Sequence, residues 1–272
     1  MRIISILPYR TKKILADTPE KGISATFELM EKMRERGQLE GVEMDIDEGY
    51  DIGDMTESRD EEFLARITLG NITKVKEYCH AGKYDAIVCV GTMGMGFFAA
   101  RMVSKIPVLT AVHAGFHVAS LIGERFTLIE ATDAQALIAR HWAQLYGLNS
   151  KLASVRQISY SSTYMSRLIH KTRKEERIKV PELKKVIDEV IAQCIKAVDS
   201  DRADTLILGC TPLQCFEDEV RQGLDESGYD EIPLVCELSA AVEMAKAMVN
   251  LKLTQAPRAY PSDSLKAKPE FR

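Results

Sequence analysis

Short apolar runs alternate with longer amphipathic stretches along almost the whole chain. Eight runs read as strands: Arg2–Leu7, Val42–Ile46, Ala86–Val90, Val108–Val112, Phe126–Glu130, Leu152–Ile158, Thr205–Gly209 and Leu234–Cys236. Apolar residues at helical spacing mark helices over Glu61–Cys79, Ala134–Tyr146, Glu182–Val198 and Ala240–Leu251. Nearly continuous apolar strands joined by such helices predict an α/β fold with parallel sheets covered on both faces.

An internal repeat divides the strands into two sets. Asp85-Ala-Ile-Val-Cys-Val-Gly91-Thr92-Met93 aligns with Asp204-Thr-Leu-Ile-Leu-Gly-Cys210-Thr211-Pro212, and Ile106-Pro107-Val108 aligns with Ile232-Pro233-Leu234. Each copy then runs into an Ala-rich helix, from about His113 and about Ser239. The repeat predicts two pseudo-symmetric lobes, each a roughly four-stranded parallel sheet flanked by helices. Lobe one takes residues 1–110 and is completed by 233–272; lobe two takes 111–232 and carries Cys210. Ligands of parallel sheets bind beyond the carboxyl ends of strands. The turns at Gly91-Thr92 and Cys210-Thr211 are therefore expected to oppose each other across one cleft, the active site.

Composition removes several function classes. The 272 residues carry a net charge of −4 with both signs interspersed, so no nucleic-acid partner is expected. No run approaches the roughly 18 apolar residues of a membrane span, and Ile3–Leu7 followed by Pro8 is too short for a signal peptide. Six cysteines without framework spacing fit a reducing cytoplasm. His113 and His117 share a helix face but have no third ligand in view, so no metal is expected. The glycines from Gly91 to Gly96 are not in the order that binds a dinucleotide, so no cofactor is expected either.

The chemistry concentrates at Leu206-Ile-Leu-Gly209-Cys210-Thr211-Pro212. Gly209 is assigned to a tight turn, Thr211 to capping the next helix and Pro212 to its first turn. Cys210 is then a thiol at a helix N-terminus, where the dipole favours thiolate. Packing behind the turn is the competing role. In the other lobe, Gly91, Thr92 and Met93 form an amide-rich turn suited to a carboxylate or enolate, and Pro8 and Tyr9 follow the first strand towards the same cleft. Arg10 fits either a substrate carboxylate or the surface. His113, just past the fourth strand, has the ordinary pKa range of an acid–base group.

Thr56-Glu-Ser-Arg-Asp-Glu61, Tyr84-Asp-Ala-Ile-Val88, Ala99-Ala-Arg101, Ala119-Ser-Leu-Ile-Gly-Glu-Arg-Phe126, Gly147-Leu148, Lys151-Leu-Ala-Ser-Val-Arg156, Ile207-Leu-Gly-Cys210, Leu251-Lys-Leu-Thr254 and Ala259-Tyr-Pro261 carry a resemblance across nearly the whole chain. It resembles the hydantoin/allantoin racemase branch of the aspartate/glutamate racemase superfamily. That resemblance implies cofactor-independent racemisation, epimerisation or isomerisation by proton transfer at the carbon α to a carbonyl. The substrate would be a small carboxylate, amino acid or hydantoin-like ring, and a homo-oligomer is a further expectation. The superfamily's two cysteines, one per lobe, are here reduced to Cys210, with Gly91-Thr92 in the other lobe and His113 where a glutamate is usual. His113, Cys89 and water-assisted Thr92 are the candidates for a second proton carrier, His113 first. A one-cysteine layout is similar to that of arylmalonate decarboxylase, so decarboxylation of a malonate-type acid is the alternative, and carboxylate binding without catalysis a third.

Overall fold

The computed structural model describes residues 1–9, 24–51, 61–91, 94, 96–131 and 133–261. The strands are β1 (Arg2–Ile6), β2 (Glu43–Asp47), β3 (Ala86–Cys89), β4 (Val108–Thr110), β5 (Phe126–Glu130), β6 (Leu152–Gln157), β7 (Thr205–Leu208) and β8 (Leu234–Cys236). They form two four-stranded parallel sheets with one topology: β2-β1-β3-β4 and β6-β5-β7-β8. The helices that matter below are α1 (Ser24–Glu35), α2 (Glu61–Ala81), α3 (Phe97–Val103), α4 (Ala111–Ile122), α5 (Asp133–Leu145), α6 (Ser162–Lys171), α7 (Pro181–Asp201), α8 (Thr211–Gln214), α9 (Glu217–Glu226) and α10 (Glu237–Asn250), with a 3-10 turn at Lys174–Lys179.

The repeated landmarks do the same structural job in each sheet. Asp85 accepts the Arg2 N–H at 2.7 Å, and Asp204 accepts the Glu124 and Arg125 N–H groups at 2.9 and 3.1 Å. Ile87 and Leu206 each donate an N–H to the proline carbonyl of the neighbouring strand, Pro107 and Pro233, at 2.9 Å. These pairs fix the amino edge of each sheet, away from the strand ends where ligands bind.

Strand residues alternate between two cores, as period-2 geometry requires. Ile3, Ala86 and Val88 join a large core continuous through both sheets, whereas Ile4, Ile6, Ile87 and Cys89 face a smaller one with Val75 and Ala100. The chain exchanges helices between the sheets. α4 leaves β4 and packs on β7; α10 leaves β8 and packs on β3 and β4; the two helices pack on each other. Gly115 permits that contact, since a methyl there would lie 2.8 Å from Glu237 Cγ.

Two expectations need correction. Strand β8 pairs with β7, so residues 234–236 belong to the second sheet, and the return to the first comes at α10 and not at residue 233. β4 ends at Thr110 instead of Val112, because Thr110 is already the N-cap of α4, accepting the His113 N–H. Ala111 and Val112 are fully buried as helix, which an apolar pattern cannot tell from strand. Among the described residues no helix is long and apolar enough to cross a membrane.

Candidate active site

Cys210 lies directly beyond β7 at the N-cap position of α8, with φ −36° and ψ 130°. Its sulfur is almost wholly enclosed, 4% of the residue being exposed, and donates to Ser162 Oγ in the first turn of α6 at 3.1 Å. Helix α8 is a single turn of four residues, so few peptide dipoles align on the thiol and the expected dipole effect is small. Thr211 is the first helical residue and not a side-chain cap, while Pro212 takes the expected first-turn place.

Gly209 does not serve a left-handed turn, for its φ is not positive. A methyl at Gly209 would lie 2.8 Å from Glu130 Oε2. Glycine there lets the buried Glu130 carboxyl, the Leu128 side chain and the Ile129 carbonyl of β5 approach the chain just beyond β7, at 2.8, 3.0 and 3.1 Å from where a Cβ would be. Gln214, also buried, fixes the same peptide from below: its Nε2 donates to the Gly209 carbonyl and its Oε1 accepts the Leu238 N–H at 3.0 Å.

In the first lobe, Gly91 follows β3 at the position equivalent to Cys210 by the Asp85/Asp204 register. Its φ of +94° is one that residues with a Cβ avoid. The two turns thus differ in backbone as well as side chain. Pro8 stands beside it, with its Cγ 3.7 Å from where a Gly91 Cβ would be. Tyr9 packs edge-on against Phe63 at 5.0 Å. Thr92, Met93, Arg10 and Met95 lie outside the described residues. Gly94 rests on the Trp142 ring of α5, where a methyl would come within 2.7 Å of Cε2.

His113 sits in an aromatic cluster instead of among polar partners. Its ring lies 4.5 Å from Phe97, 4.1 Å from His117 and 4.8 Å from Tyr146, and its buried Nδ1 has no hydrogen-bond partner among the described residues. Burial, with smaller contributions from His117 and Arg101, pulls its pKa down to about 3. The imidazole is therefore neutral near pH 7 and a weaker base than the same ring in water. The His113 and His117 rings are tilted with their planes 33° apart, and His117 Nδ1 is engaged by the His113 carbonyl at 2.8 Å. Cys89 is buried in the outer core, and burial pushes its thiol up to about 12.

Of the residues read from the sequence, Cys210, Thr211 and Pro212 lie together beyond β7, and Pro8 lies beside Gly91 beyond β3. Ser162, Glu130 and Gln214, which pack about the Cys210 turn, were not singled out there. Glu130 left a signal, a charge closing the apolar strand Phe-Thr-Leu-Ile-Glu; Ser162 and Gln214 left none beyond local helix-start chemistry.

Comparison with known proteins places these features in context. A hydantoin racemase of Pseudomonas sp. (strain NS671) is 25% identical over 183 residues, 67% of this chain and 65% of that relative's length. The fold is that of the allantoin racemase of Pseudomonas fluorescens (TM-score 0.70, 21% identity, 96% of this chain and 97% of the other). It is likewise that of the allantoin racemase of Klebsiella pneumoniae (TM-score 0.71, 20% identity, 96% and 94% covered). The family model for Asp/Glu/Hydantoin racemase matches residues 22–245, a span that includes Gly91 and Cys210, and the chain belongs to that family.

Proposed function

We propose that the protein is a cofactor-independent isomerase that moves a proton at the carbon α to a carbonyl, in a small carboxylate, amino acid or hydantoin-like ring. The observation that carries this reading is Cys210. It stands at the carboxyl end of β7 in a member of a racemase family, and Ser162 Oγ lies 3.1 Å from its sulfur. Cys210 is the proton carrier. Thr211, Pro212, Gly91, Thr92 and Met93, together with Pro8 and Tyr9, bind the substrate and hold the planar intermediate between the lobes. Amide and hydroxyl donors aimed at a developing enolate stabilise it most where water is excluded. All six cysteines are free thiols, in keeping with the reducing cytoplasm in which we place the protein.

A second reading is favoured by the Gly91 backbone and by the weak base His113. Proton transfer on both faces needs a group on each. With one thiol, loss of carbon dioxide from a malonate-type acid followed by protonation from the Cys210 face needs only that group.

Incubation in deuterium oxide with amino acids, hydantoins and disubstituted malonates separates the readings. α-Deuteration with loss of optical activity supports the isomerase. Carbon dioxide release with one product enantiomer supports the decarboxylase. Binding without either reaction removes both.

A further inference from the structure

Two serines stand side by side at the start of α6, and the chain uses them differently. Ser161 is the N-cap: its Oγ accepts the Tyr164 N–H at 3.2 Å. Ser162, the first helical residue, has its hydroxyl on the thiol instead, and Cys210 Sγ donates to it at 3.1 Å. The helix aims Ser162 there. Met165 and Ile169, three and seven positions further on, are both buried, so Ser162 lies on the face that α6 turns inwards. α6 and α8 pack on each other, which holds the hydroxyl and the sulfur in register.

We infer that Ser162 is a positioning residue whose hydroxyl serves both protonation states of Cys210, accepting the S–H of the thiol and turning to donate its own O–H to the thiolate. The inference rests on the reading of Cys210 as the proton carrier and adds the group that lets it both give and take. A carrier of an α-proton must act as acid in one direction and as base in the other. A carbonyl could hold only the thiol, and a backbone N–H only the thiolate. A hydroxyl offers one donor and two acceptor sites and rotates to suit. The need is greatest for an enclosed sulfur, because burial opposes the charged form; it pushes the Cys89 and Cys194 thiols up to about 12. A hydrogen bond to an anion is roughly twice as strong as one between neutral groups, so the hydroxyl favours the thiolate on balance. The charged and titratable groups around the turn form a background that replacing Ser162 leaves in place. On α1, Glu28 pairs with Arg177 at 2.7 Å and Lys32 with Asp218 at 3.1 Å. Glu130 of β5 lies against Gly209, and Cys215 is a buried thiol pushed well up by burial. On α6 itself, Arg167, His170 and Lys171 are exposed.

The test follows the ultraviolet absorbance of the thiolate against pH, with each protein read against the same protein carrying Cys210→Ala so that the other thiols cancel. Ser162→Ala should raise the Cys210 midpoint by about one pH unit, a tenfold loss of thiolate at any pH below it. Ser162→Thr keeps the hydroxyl and should return the midpoint to the wild-type value. Ser162→Val has the shape of the threonine without its hydroxyl and should behave as alanine does, which decides the matter if Ser162→Ala does not fold. A midpoint unmoved in the folded alanine and valine variants overturns the inference, whatever stability they lose. So does a midpoint that moves equally in the threonine and valine variants, since shape and not the hydroxyl would then be responsible. The catalytic reading is separable: it fails if Cys210→Ala keeps α-proton exchange, whatever the titration shows.

Discussion

At residue 91 the chain adopts φ +94°, and among the described residues nothing lies closer to a would-be Cβ than Pro8 Cγ at 3.7 Å, so the constraint they show on that position is conformational. Gly91→Ala should therefore cost about 1 kcal/mol or more, read from the midpoint of urea unfolding, with no loss of secondary structure. His113 makes the complementary prediction for pH. Its folded pKa of about 3 lies below the ordinary value of 6.5, so the unfolded chain takes up a proton first as pH falls. Stability is unaffected above about pH 6.5 and declines from there towards pH 3, by at most about 1.4 kcal/mol per unit from this group. His113→Phe should flatten that part of the stability–pH curve; an unchanged slope would place the ring in water. At this scale the position of Cys210 beyond β7 was legible, because a cysteine closing an apolar strand before Thr-Pro is conspicuous. It did not disclose the state of His113, which depends on Phe97 and Tyr146, residues 16 and 33 positions away. Nor did it show Glu130 enclosed, since a charge at a strand end reads as a solvated terminus.

Among the elements, the equivalence of β3 and β7 was legible because both are buried on two faces and each is preceded by an aspartate, Asp85 and Asp204. The aspartates turn out to be structural. Asp204 holds the Glu124 and Arg125 N–H groups and the Thr205 hydroxyl, whereas Asp85 holds the Arg2 N–H. Asp204→Ala should cost about 1–3 kcal/mol and Asp85→Ala less, compared by denaturant midpoints, with turnover per folded molecule unaltered in both. Gln214 ties the end of β7 to the start of α10. Gln214→Ala strands a buried carbonyl and a buried N–H and should lower both stability and turnover, whereas loss of stability alone would mean that the turn holds its shape unaided. The start of α4 was misread for a physical reason: Ala111, Val112 and Ala114 are fully buried, and a helix apolar on every side has no polar face to reveal its period.

For the whole molecule, the repeat implied two lobes but not how they are joined. The exchange of α4 and α10, together with one core running through both sheets, predicts a single cooperative unfolding transition. Helix α1 adds a charged link from the first lobe. Arg177, 1% exposed, is neutralised by Glu28. Glu28→Ala leaves a buried guanidinium uncompensated, so a loss of about 3–5 kcal/mol is expected in thermal or urea unfolding; a loss below about 1 kcal/mol would mean that water already reaches the pair. All of this scaffolding converges on the turn that carries Cys210. The most direct measurement of the central claim is the rate of α-deuteration of a turned-over substrate in deuterium oxide, followed by proton NMR for the wild type and Cys210→Ala at equal folded concentration. The account predicts a fall of at least about a hundredfold in the variant. Exchange at the wild-type rate without the thiol would contradict it.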